Sequence, residues 1–197
     1  MSRFSLAVLL CFSAAAAADE PDFDLVLRNG KIVDGTGNPW FLGDVAIRGD
    51  RIAAVGRIPA GKTKREIDVK GLVIAPGFID IHSHSDYLLL EDGLAQSKIR
   101  QGVTTEVLGE NQSAAPYKGG LAERRFVVSG RTERWSTLKG YLDLIDRSGV
   151  SVNVATYVGM DNVWQGVMGQ AHARPTPEQL AQMKEILDEA LRDMLDR

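Results

Sequence analysis

Cysteine is almost missing from this chain: one residue in 197, Cys11. A disulfide-stapled scaffold is therefore excluded, as are metal sites built from paired thiolates. Histidine is nearly as scarce, with three copies. Neither sign of charge dominates, since 23 Lys and Arg face 26 Asp and Glu for a formal net charge of −3. That mild acidity gives no reason to expect nucleic acid or an anionic membrane as a partner. Long apolar runs are also wanting. The longest, Phe4 to Phe12, is far short of the about 20 residues that cross a bilayer.

What that first stretch does carry is the layout of a secretory signal. Arg3 supplies the positive start, Phe4 to Phe12 the apolar centre, and Ala16-Ala17-Ala18 an A-x-A-like cleavage site. Leu10, not a small residue, precedes Cys11, which argues against a lipoprotein signal. Residues 1–18 are expected to be removed, so the mature chain would hold no cysteine and would be periplasmic or secreted, with no membrane attachment after cleavage.

Residues 19–75 read as strands and turns. Leu25 to Val33 divides at Asn29-Gly30, a strong hairpin signal. Asp34 to Pro39 is a loop. Val45 to Gly56 repeats the pattern around Gly49-Asp50, and Ile67–Val69 and Leu72–Ile74 add two short strands. This region is either a small independent β-domain or one part of a larger one; some fifty residues make a thin core.

From Pro76 the pattern turns to β/α alternation, which predicts a parallel sheet. Phe78 to Ile81 reads as a buried strand. A helical segment, Gly93 to Gln101, follows, and Thr104 to Leu108 is a second strand. Gly109 to Trp135 reads as a long loop. Ser136 can cap a helix with Leu138, Tyr141, Leu142 and Ile145 on one face, ended by Gly149. Val150 to Val158 is a third strand. Thr176-Pro177-Glu178-Gln179 is a capping box with proline at the first helical position. The stripe behind it runs Leu180, Met183, Ile186, Leu187, Ala190, Leu191 and Met194, whose methionines are packing residues.

Two of the three histidines end the first of these parallel strands, in Ile79-Asp80-Ile81-His82-Ser83-His84-Ser85-Asp86. Side chains two apart on a strand share a face. Both imidazoles therefore project together, and a neutral imidazole pair suits a borderline-soft divalent ion such as zinc. By itself an HxH pair is equally a polar strand end. Asp86 is expected on the same side. The remaining histidine, His172, reads as a solvated loop residue. Just past the second strand lies Glu110, read from spacing alone as a solvated loop carboxylate or as a metal-site residue.

The phrase Ala75-Pro76-Gly77-Phe78-Ile79-Asp80-Ile81-His82-Ser83-His84-Ser85-Asp86 resembles the first metal-binding strand of the amidohydrolase superfamily, metal-dependent hydrolases built on a (β/α)8 barrel. Gly102 to Pro116, Val152 to Gly159 and Val167 to Met183 are similar to the D-aminoacylase branch, the N-acyl-D-amino-acid deacylases. The resemblance runs from about Asp24 to Ala190. It implies an α/β fold: a partial, TIM-like (β/α)8 barrel comprising about the first three β/α units in residues 76–197, preceded by a β-sandwich segment in residues 19–75. It implies one or two zinc or other divalent ions, a small N-acylated D-amino acid as substrate, and His82, His84 and Glu110 as metal-site residues. Glu110 stands where relatives carry a cysteine within an NCG phrase, with one residue of difference in loop length. Met160 and Trp164 replace a histidine and an arginine common after the third strand.

In such enzymes a metal-activated hydroxide attacks the amide carbonyl while an aspartate shuttles the proton. That aspartate and two further histidines come from later strands, so no catalytic residue is assigned here. Residues 76–197 are about half of the roughly 250 residues such a barrel takes. The expectation for the 197-residue chain is therefore a hydrolase by lineage, inactive alone. The competing expectations are a non-catalytic metal-binding remnant or unstable fragment and, among enzymes, a dihydroorotase-like cyclic amide hydrolase.

Overall fold

The computed structural model describes residues 22–61 and 63–195, which fall into two compact units divided at Pro76–Gly77. The expected signal segment, residues 1–18, lies outside the described residues.

The first unit is a five-stranded sheet: β1 (Leu25–Ile32), β2 (Phe41–Arg48), β3 (Arg51–Gly56), β4 (Glu66–Asp68) and β5 (Val73–Ile74), in the order β3-β2-β1-β4, with β5 also pairing β1. The expected turn at Gly49-Asp50 joins antiparallel β2 and β3, with Gly49 at a positive φ of 59°. The expected hairpin at Asn29-Gly30 is corrected. Leu25–Ile32 is one strand, and the register of β1 against β2 shifts between Leu27 and Gly30. Asn29 does take the left-handed conformation a turn needs, φ 60°. Its neighbours make this a bulge. Its N–H donates to Asp44 Oδ1 at 2.9 Å and its side-chain amide to Asp68 Oδ1 at 3.0 Å. Side-chain acceptors on two flanking segments thus replace the hydrogen bonds a bulge forfeits. A small core of Val26, Ala46 and Ile58 backs the sheet.

The second unit holds β6 (Phe78–Asp80), α1 (Leu88–Glu91), α2 (Gln96–Ile99), β7 (Val103–Leu108), β8 (Arg124–Val128), β9 (Arg131–Trp135), α3 (Leu138–Ser148), β10 (Asn153–Thr156), α4 (Met160–Met168) and α5 (Pro177–Leu195). Strands β6, β7 and β10 form a parallel sheet in the order β10-β7-β6. The expected alternation of strand and helix is therefore present. Several details differ. The region expected as a loop from Gly109 to Trp135 contains the antiparallel hairpin β8–β9. The helix cap is Thr137, not Ser136, and its Oγ1 accepts from Gly140 N–H at 3.0 Å. The third parallel strand is confined to Asn153–Thr156, and α4 follows it directly.

Phe78–Ile81 is not buried, contrary to its apolar sequence: Phe78, Ile79 and Ile81 are 61%, 62% and 69% exposed. Strand β6 lies at the edge of the parallel sheet and ends at Asp80. An edge strand buries only what neighbouring elements cover, whatever its hydrophobicity. The core of this unit gathers instead on the helical side, around Leu89, Leu108, Leu138, Tyr141 and Ile145. All four residues of the predicted α3 stripe are buried. The predicted capping box of α5 forms in both directions, Gln179 N–H to Thr176 Oγ1 at 3.2 Å and Thr176 N–H to Gln179 Oε1 at 2.9 Å. Along its stripe, Met183 and Ala190 are buried, while Leu180 and Leu191 stay exposed.

Candidate metal centre

The two histidines come together where β6 ends. His82 Nε2 and His84 Nε2 are 3.3 Å apart, with the rings edge to face. Two ligands at about 2.0–2.1 Å from one tetrahedral zinc ion stand about 3.3–3.4 Å from each other. The imidazole pair therefore already has the spacing of two nitrogens on a single ion. Both side chains are exposed at the C-terminal end of the parallel sheet, the end at which (β/α)8 barrels carry their active sites.

Glu110 arrives from the segment after β7, the neighbouring strand. Its Oε2 lies 2.6 Å from His82 Nδ1. A carboxylate on Nδ1 holds the proton there and leaves Nε2 as the lone-pair nitrogen, the arrangement that orients metal-ligating histidines. Sequence reasoning thus named three residues that the fold gathers into one cluster. Among the described residues, no group of three or more His, Cys, Asp or Glu side chains is arranged to hold one ion. The structure brings two imidazole nitrogens together, with a carboxylate behind one of the rings.

Asp86 does not stand among the exposed histidines. It is 5% exposed, and its Oδ1 accepts from Ala114 N–H at 3.1 Å. Burial pushes its carboxyl above the usual range, against that hydrogen bond. Asp86 thereby ties the loop after β6 to the loop that carries Glu110. The Glu110 loop is held from a second direction by α4. The Asn162 side chain accepts from Ser113 N–H at 2.9 Å and donates to the carbonyls of Ser113 and Pro116 at 3.1 and 3.2 Å. Met160 opens α4 at 57% exposure, and the Trp164 indole N–H donates to the Ala171 carbonyl at 3.0 Å. His172 is exposed, in a loop.

Sequence reasoning passed over a polar group directly behind the histidines. Glu106, in the middle of β7, is fully buried and accepts from Ser83 Oγ. Ser83 Oγ also lies 2.7 Å from Ser85 Oγ. The Lys98 ammonium, from α2, donates to Asp80 Oδ2 at 2.6 Å and to Ser83 Oγ at 3.2 Å, and is 3.6 Å from Glu106 Oε2. The hydrogen bond from Lys98 holds the Asp80 carboxyl below the usual range, helped by His82 N–H. The one sequence signal was an acidic residue inside the strand run Thr104-Thr105-Glu106-Val107-Leu108, which by itself does not tell an enclosed glutamate from an exposed one.

No protein-family model matches the chain. Curated relatives do. A D-aminoacylase of Alcaligenes xylosoxydans xylosoxydans is 37% identical over 177 residues, 88% of this chain and 37% of that protein. An N-acyl-D-glutamate deacylase of the same organism is 33% identical over 171 residues, 85% of this chain and 35% of that protein. Among solved structures, a D-aminoacylase described as defining a subset of amidohydrolases superposes with a TM-score of 0.76 at 37% identity, over 87% of this chain and 37% of its own. A second D-aminoacylase structure concerns a binuclear metal centre. An N-acyl-D-glutamate deacylase from Bordetella bronchiseptica, in complex with zinc and a phosphonate that mimics the tetrahedral intermediate, superposes with a TM-score of 0.75 at 32% identity, over 88% of this chain and 37% of its own. The chain spans a little over a third of the length of these relatives.

Proposed function

The chain belongs to the D-aminoacylase family of the amidohydrolases, and from that premise we propose that it is the metal-pair portion of a hydrolase cleaving the amide bond of N-acyl-D-amino acids. The observation that carries the reading is the imidazole pair at 3.3 Å on the end of a parallel strand, with Glu110 reaching His82 from the next strand. His82 and His84 would hold a zinc ion through Nε2. Glu110 fixes the His82 tautomer through Oε2 and so supports the metal site from behind the ring. Bound there, a divalent ion supplies Lewis-acid polarisation of the amide carbonyl and acidifies water.

The protein's own part is orientation. β6 and β7 run parallel, so their C-terminal ends deliver the histidines and Glu110 to one place. The Asp86–Ala114 hydrogen bond ties the loop after β6 to the Glu110 loop, and the Asn162–Ser113 bond ties the Glu110 loop to α4. In this reading residues 76–197 contribute the first three β/α units of a (β/α)8 barrel, and residues 19–75 contribute strands to a flanking β-sandwich. Residues 1–18 direct export, which makes the protein periplasmic or secreted.

The 197-residue chain by itself is proposed to bind metal without turning substrate over. Supporting this, no further His, Asp or Glu among the described residues completes a three-residue set around the pair. Incubating the purified chain with zinc and N-acetyl-D-amino acids tests both halves of the proposal. Zinc uptake near one ion per chain, lost in His82→Ala and His84→Ala, with no amide hydrolysis, is the expected result. Zinc-dependent release of free D-amino acid would refute the inactivity, and a chain that takes up no zinc would refute the metal seat.

A further inference from the structure

A carboxylate that is fully buried in the centre of a strand needs a reason. Glu106 has Oε2 paired with Ser83 and Lys98, while its Oε1 is buried with no hydrogen-bond partner. Leaving a polar oxygen unpaired inside a protein costs stability. Replacing a whole buried charged network by well-packed apolar side chains is often neutral or stabilising, although removing one partner alone is costly. Folding by itself therefore gives little reason for Glu106 and its partners.

Its contacts point elsewhere. The residues it reaches, directly or through Lys98 and Ser83, bracket the metal-seat histidines along the chain. Asp80 precedes them, Ser83 lies between them and Ser85 follows them. Asp80 is held by the Lys98 ammonium at 2.6 Å, and its Oδ1 accepts from the His82 N–H at 3.2 Å. Ser83 is held at its side chain by Glu106 and at its N–H by the Val107 carbonyl, 3.1 Å away. Ser85 is joined to Ser83 at 2.7 Å. Burial alternates along this segment, with Ser83 and Ser85 buried and His82 and His84 exposed. The anchored serines therefore leave both imidazoles on the outer side.

We propose that Glu106, Lys98 and Ser83 form a buried polar clamp that positions His82 and His84 for a divalent metal ion, with Glu106 as its fixed end. These are positioning residues, since none of them faces the seat itself. The proposal rests on the metal reading above and adds the residues that set the geometry of the seat. Breaking the clamp frees the two imidazoles to separate without removing either. Loss of such supporting contacts typically costs 10–100-fold in metal affinity.

The test measures zinc affinity of the full chain by competition with a chromophoric chelator, together with the visible spectrum of the cobalt(II)-loaded chain and the urea midpoint. Ser83→Ala and Glu106→Leu should each bind zinc about 10–100-fold more weakly and shift the cobalt bands, by more than any fall in the urea midpoint accounts for. Wild-type affinity and spectrum in both variants would overturn the clamp while leaving the metal seat intact. Weakened zinc binding matched by an equal loss of stability in both variants would also overturn it, marking the group as structural. A wild-type chain indistinguishable from His82→Ala in zinc uptake would remove the metal reading and the clamp with it.

Discussion

At the residue scale, the seat depends on which atom of Glu110 does what. With Oε2 on His82 Nδ1, Glu110→Gln keeps a hydrogen-bonding group beside the ring but removes the charge that favours an Nδ1–H tautomer. Glu110→Gln should weaken zinc binding by about tenfold and Glu110→Ala by more, within the range usual for groups that support a metal ligand. Isothermal titration with zinc checks this, and affinities unchanged in both would reduce Glu110 to a solvated loop residue. The meeting of the two histidines was legible in the sequence because His82 and His84 stand two apart just past the end of a strand. The role of Glu106 was not. A glutamate in a β run reads equally as an exposed edge residue, and only the packing of Ser83 and Lys98 over it shows that it is enclosed.

At the element scale, the loop carrying Glu110 packs without slack against the start of α4. A Cβ added at Gly159 would stand 2.4 Å from Ser113 N and 2.9 Å from Asn111 O, both backbone atoms that cannot rotate away. Gly159→Ala should therefore cost about 1–3 kcal/mol and displace the Glu110 loop, which urea denaturation and zinc titration would register together. In the first unit, the β1 bulge has a pH-dependent lock. Burial pushes the Asp44 carboxyl up, but hydrogen bonds from Asn29 N–H, Ile58 N–H and Arg28 outweigh it and hold the group below the usual carboxylate range. A lowered folded pKa stabilises the fold above the ordinary value, about 4, and that stability is lost as the pH falls through the folded value. Asp44→Asn should lower stability at pH 7 by about 1–2 kcal/mol and by less at pH 3. Urea melts of both proteins at the two pH values would show it, and a gap that did not shrink in acid would sink the assignment.

At the scale of the whole molecule, the parallel sheet leaves Phe78, Ile79 and Ile81 more than half exposed, and β6 offers an edge that no strand among the described residues pairs. Open edges and contiguous apolar surface promote association. Sedimentation velocity of the purified chain at micromolar concentration should show species larger than one chain, and Ile81→Glu should reduce them. A monomer at every concentration would show that this surface is covered by other means.

Several features followed from the sequence alone, for a common reason. The histidine pair, the β/α alternation after Pro76, the α3 stripe and the capping box of α5 are all local patterns. Residue spacing maps onto a strand or helix face with no knowledge of what packs there. Only the tertiary structure decided the rest. Asn29-Gly30 looks like a hairpin turn and becomes a bulge because Asp44 and Asp68, distant along the chain, satisfy Asn29. Phe78 to Ile81 looks buried and is exposed, because burial belongs to the neighbours a strand acquires and not to its own composition. The enclosure of Glu106 behind the histidines has the same origin: it requires β6, β7 and α2 to meet, and no spacing within any one of them records that they do.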